Sequence, residues 1–124
     1  MCACKHQQSA TSHYLEIENE AVRRGDEALR KYKTADYQTA KSALVDLLKF
    51  LDKASYPPDA PDEFRVDAMS TCVRLAKLEE KQGHTAEQAS YMNQAVTRCQ
   101  TLKIRKCDEN SLRKEVDRLD TLIK

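Results

Sequence analysis

The sequence predicts an all-α protein of about five helices, and three observations carry that prediction. Ala occurs 14 times in the 124 residues against two Gly and three Pro, and Ala, Glu, Lys, Leu and Arg together make up 57 residues. That is the composition of a chain of good helix formers with few breakers. Apolar residues also recur every three or four positions along most of the chain, the period of a helix with one buried face. One domain is expected from the length. Leu, Ile, Val and Phe number only 23, but 21 basic residues balance 20 acidic ones, so the chain lacks the high net charge of a disordered one. The same balance excludes a dedicated nucleic-acid binder, which carries a strong basic excess. No run of 18 apolar residues is present to span a membrane.

The elements follow in order. Residues 1–11, with Cys2, Cys4 and His6 and no apolar period, read as a flexible leader ahead of a single domain over 12–124. Ser12 is the expected cap of a long first helix from about residue 13 to 33. Its main stripe is Tyr14, Ile17, Ala21, Gly25, Ala28 and Tyr32, with Leu15, Val22 and Leu29 beside it. Thr34, Ala35 and Asp36 form a short turn, and Asp36 caps a second helix over about 37–53 with Ala40, Leu44, Leu47, Leu48 and Leu51 inward. So short a turn makes the pair an antiparallel hairpin.

All three prolines fall in Ser55-Tyr56-Pro57-Pro58-Asp59-Ala60-Pro61, which reads as the linker to a second hairpin. Asp59 is the expected cap of the third helix, with Pro61, Asp62 and Glu63 in its first turn. Phe64, Ala68, Cys72, Leu75 and Ala76 form one stripe of this helix, and Val66, Met69 and Val73 the next. Gly83 ends it, with Lys77 and Lys81 at its negative end. Thr85-Ala86-Glu87-Gln88 has the capping-box pattern, and the fourth helix follows with Ala89, Met92, Val96 and Cys99 inward. Asp108 or Asn110 caps a last helix carrying Leu112, Val116, Leu119 and Ile123.

Within the first hairpin, Ala28, Asp36-Tyr37, Ala40 and Leu44 sit where small residues let two helices approach and a turn residue precedes a Tyr. Leu75, Ala76, Gly83 and Ala95 repeat the scheme in the second. In these positions the chain resembles the tetratricopeptide repeat over roughly residues 14–102, with the last helix as the capping element that a stack of hairpins needs. The turn residues Asp36 and Gly83 stand 47 residues apart, longer than the period of about 34 of that family. The alternative is an ordinary helical bundle with small residues at its crossings.

The start of the chain points to a location. Ala3-Cys4 is similar to the end of a bacterial lipobox, whose Cys is lipidated, and Lys5 to Ser12 would then be the tether; Cys2 is the second lipidation candidate. On this reading a secretory signal once preceded the Cys. The hairpins, charged linker and late Cys-Asp also resemble small bacterial lipoproteins with helical-repeat folds. A rival uses the same atoms: Cys2, Cys4 and His6, with His13, are soft-metal ligands. Cys72, on an inward stripe, is expected to be a small buried apolar residue. A tight reversal between the fourth and fifth helices would bring Cys99 and Cys107 within the Cα separation of about 4.4–6.8 Å that a disulfide requires; two free thiols are the alternative.

Chemistry is sparse. Gly25 and Gly83 are isolated, so no glycine loop can cradle a phosphate, and no His-Glu-x-x-His helix occurs. Glu79-Glu80 and Asp62-Glu63, adjacent in sequence, read as solvated faces. His84 reads as an exposed turn residue. An enzyme is not expected, nor any cofactor. Tyr14, Arg24 and Tyr32 are the candidate anchors for a protein or peptide in the groove of the first and third helices, the two tyrosines being alternatively core residues. The expected function is a non-enzymatic adaptor on a lipid-anchored periplasmic protein, touching the membrane through its lipid alone. The alternatives are a soft-metal binder and a cytoplasmic helical interaction domain.

Overall fold

The computed structural model describes the backbone of residues 2–102 and 106–122, and side chains from residue 14 onward. Five helices, and no strand, are formed by the described residues: α1 (Cys2–Thr34), α2 (Tyr37–Ala54), α3 (Asp62–Lys81), α4 (Thr85–Leu102) and α5 (Glu109–Leu122). Each of the first four packs on the next, giving two hairpins joined through α2 and α3, and α5 returns onto α3 and α4. The all-α architecture of two hairpins and a final helix is the one expected.

The first correction concerns the start. α1 begins at Cys2 and includes residues 2–11, so Ser12 lies inside it and does not cap it. Ala3, Lys5, Gln7, Gln8 and Ala10 are good helix formers, and no Gly or Pro interrupts them. At the hairpin turn the local signal holds: Asp36 is extended (φ −67°, ψ 168°) and its Oδ1 accepts from the Thr39 N–H at 2.8 Å.

The linker departs from expectation. Pro61, not Asp59, stands before α3. Asp59 Oδ1 instead accepts from the Tyr14 hydroxyl at 2.9 Å, and Arg65 satisfies the linker's carbonyls, donating to Ser55 O at 2.9 Å and Ala60 O at 3.1 Å. A proline-rich segment has few N–H groups to build its own turns, so a cation from the following helix closes it.

α3 is the centre of the molecule and serves two cores, with Cys72 and Ala76, expected on the stripe of Phe64, packing instead in the second. Phe64, Ala68, Leu75 and Leu78 meet Ala21 and Ala28 of α1 and Ala40, Leu44, Leu47 and Leu51 of α2. Met69, Cys72, Val73 and Ala76 meet Met92, Ala95, Cys99 and Leu102 of α4 and Leu112 and Val116 of α5. Cys72 is buried as expected, and burial pushes its thiol up to about 11. Gly83 (φ +75°) ends α3 in the left-handed conformation that favours glycine. Its N–H donates to Glu80 O and that of His84 to Glu79 O, both at 3.0 Å, the Schellman pattern. α4 starts at Thr85, and Gln88 Nε2 donates to Glu80 Oε2 at 3.5 Å, so the capping box predicted here does not organise the start of α4.

Glu79, expected on a solvated face, is fully buried. Lys41 Nζ donates to its Oε2 at 2.8 Å, the Tyr37 hydroxyl donates to its Oε1, and His84 Nδ1 lies 3.1 Å from the same oxygen. Burial alone would raise its pKa, but these hydrogen bonds, Lys41 foremost, hold the carboxyl below the usual range.

Asp108 caps α5, accepting from the Ser111 N–H at 3.0 Å. Cys99 and Cys107 form a disulfide with Cα atoms 5.6 Å apart, fastening the end of α4 to the approach to α5. Because the bridge closes a loop with a sequence separation of only eight, its removal costs about 2–3 kcal/mol. Cys107→Ser is expected to lower the urea midpoint by that equivalent, with the same loss in wild type under reductant; equal midpoints would contradict it.

Candidate functional site: a groove walled by three helices

The side chains beside the main stripe of α1 do not enter the core. Val22 and Leu29, with Ala21, Gly25 and Asp26, form one wall of an open groove of about 360 Å³. Leu44, Leu47 and Leu51 of α2 are its floor. Asp67, Thr71 and Arg74 of α3 form the second wall, and Leu119 and Leu122 of α5 close one end. Val22 is 63% exposed and Leu122 69% exposed, so the rim offers apolar surface to solvent. The outer face of α4, around Ala89, Ser90 and Asn93, is a wider but one-sided surface with no opposing wall.

α5 takes its place through ion pairs absent from the sequence reading. Arg74 donates from Nε at 3.0 Å and Nη2 at 2.8 Å to Asp120 Oδ1; Lys77 pairs with Asp117; Arg113 Nη1 lies 2.8 Å from Glu80 Oε2. Lys33 Nζ of α1 donates to the Asp120 carbonyl at 2.9 Å, tying the far wall to the same end. Lys77, expected to complement the dipole of α3, thus serves a partner helix.

The groove's electrostatics centre on Asp67. Its side chain is exposed, yet the surrounding walls desolvate it and push its carboxyl above the usual range, with Arg74 pulling it part of the way back. An acid that water reaches but cannot surround is the mark of a concave site.

The three predicted anchors fall elsewhere. Tyr14 is held by Asp59 at the linker. Arg24 lies over the Phe50 ring, 4.6 Å from its centroid, and donates to Glu20 at 2.8 Å, on the side of α1 that faces α2. Tyr32 packs against the first core, where burial raises its hydroxyl pKa near Lys77, Asp120 and Arg74. None of the three lines the groove. Sequence reasoning missed Asp26, Asp67 and Arg74; the available signal was the second apolar row, Val22 and Leu29, beside a main stripe interrupted by Gly25. The lipidation and metal candidates Cys2, Cys4 and His6 lie outside the residues whose side chains are described. Among the described residues no cluster of three metal-ligating side chains occurs, and no helix is long and apolar enough to cross a membrane.

Compared with known proteins, the chain matches no family model, no curated protein and no solved structure.

Proposed function

We propose that this protein is a non-enzymatic interaction module, tetratricopeptide-like in its stacked hairpins, whose groove between α1, α3 and α5 seats a segment of a partner protein. The observation that carries this reading is the groove itself: a leucine floor, two facing helical walls and an apolar rim left open to solvent. Such a site suits a peptide's side chains, with an existing shape that need not be ordered on binding. Lipid on Cys4, or on Cys2, would hold the module at a membrane surface, facing the periplasm. The Cys99–Cys107 disulfide supports that side of the membrane, because such bonds persist in oxidising compartments.

Site-specific photocrosslinking in the native host tests the interaction. A benzophenone side chain at Leu29, on the groove wall, is expected to give one defined adduct, and the same group at Ser90, on the outer face of α4, none. Equal yields at both positions, or none at Leu29, would contradict the reading. Intact-mass spectrometry of the same protein from the membrane fraction is expected to find a diacylglyceryl group lost in C4S or C2S, whereas an unmodified protein in the soluble fraction would remove the lipid anchor.

A further inference from the structure

The groove carries negative charge that the chain compensates only in part, through Arg74 acting on Asp67. Among the described residues that line it Arg74 is the one cation, and its Nε and Nη2 both donate to Asp120. Asp26 on the α1 wall and Asp67 on the α3 wall remain, and among the described residues neither carboxylate has a hydrogen bond or ion pair. Asp67 is in addition partly desolvated, so a cation brought beside it meets less screening than on an open surface.

Gly25 points the same way. It sits in the interior of α1, where Gly costs about 1 kcal/mol relative to Ala. No atom of the protein explains it: a Cβ built there meets nothing within 4 Å. Lacking a side chain, it leaves a notch in the α1 wall of the groove, next to Asp26 in the chain. The volume of about 360 Å³ holds a few side chains and not a folded domain.

We propose that the groove's occupant is a basic amphipathic segment of a partner protein, its leucine-type side chains on the floor of Leu44, Leu47 and Leu51 and its Lys or Arg paired with Asp26 and Asp67. This rests on the groove being an interaction site, and the test separates the two claims. The probe is a labelled, amidated synthetic peptide of about three helical turns with leucines one turn apart flanked by lysines. Companion peptides carry Glu for every Lys, or Ala for every Leu. Fluorescence anisotropy with the full chain is expected to show saturable binding of the lysine–leucine peptide and binding at least about tenfold weaker for each companion. The double variant D26N/D67N is expected to lose about tenfold in affinity for the lysine–leucine peptide and none for the glutamate peptide. Gly25→Leu replaces a poor helix former by a good one, so its circular dichroism and melting temperature are kept or improved, while its bulk fills the notch and removes binding.

Equal binding of the lysine and glutamate peptides, both blocked by Gly25→Leu, would overturn the cationic preference and leave the groove as the interaction site. Binding of the lysine–leucine peptide that Gly25→Leu does not alter would overturn the groove itself. Absence of saturable binding by that peptide would overturn the proposal.

Discussion

Replacing Phe64 by Ala is expected to lower the unfolding free energy by about 3–5 kcal/mol, the largest effect of any single truncation in this core. Phe64 is 1% exposed and is the bulkiest of the fully buried side chains. It stands in the first turn of α3, where α1, α2 and α3 share one apolar cluster. Much of that cluster is alanine: Ala21, Ala28, Ala40, Ala54, Ala60 and Ala68. Alanines allow close helix approach, but they have no length with which to collapse into a void, so the transfer and cavity costs both persist. Against a total stability of order 5–15 kcal/mol, the loss is a large fraction. Urea denaturation followed by circular dichroism measures it, with Phe64→Leu as the milder comparison. A loss below about 1 kcal/mol would show that this corner of the core is loosely packed.

Glu79→Ala is expected to destabilise by about 2–3 kcal/mol. The substitution strands the Lys41 ammonium and the Tyr37 hydroxyl, which a carboxylate now holds. The figure sits below the usual cost of breaking a buried pair because the Lys41 side chain is 30% exposed and can turn to water. The pH dependence has a definite sign. The folded-state pKa of Glu79 lies below its ordinary value of 4.5, so the unfolded chain takes up the proton first on acidification. The stabilisation is therefore complete above that ordinary value and is lost as the pH falls through the lower folded-state value. Glu79→Gln is expected to flatten this acid limb of the stability profile. An unchanged limb would mean that the carboxylate titrates alike in both states.

What the sequence revealed, and what it hid, divides by the range of the interaction. The caps at Asp36 and Asp108 and the stop at Gly83 were legible because each is a contact between a side chain or backbone group and the next few residues. The apolar positions of α3 were legible as well, but not their division between two cores, since Cys72 and Ala76, read on the stripe of Phe64, pack with Met69 and Val73. Asp59 failed as a cap because a tyrosine 45 residues away claimed it. Glu79 misled for a similar reason: adjacency to Glu80 suggested a solvated face, whereas only Glu80 is exposed and Glu79 turns toward α2. The groove was half legible. Its α1 wall lies in the row of Val22 and Leu29, but its α3 wall and its closed end depend on α5 returning over α3 through Arg74–Asp120 and Lys77–Asp117. No local pattern announces pairs of oppositely charged residues 40 or more positions apart, and Tyr14, Arg24 and Tyr32, inferred from residue type, do not line this groove.

The central claim is that the groove between α1, α3 and α5 is where this protein meets its partner. Heteronuclear NMR of the ¹⁵N-labelled chain, titrated with the lysine–leucine peptide, tests it most directly. Amide shifts concentrated at residues 21–29, 67–74 and 119–122 are the predicted result; shifts centred on the α4 face around Ser90 and Asn93, or no saturable shifts at all, would contradict it.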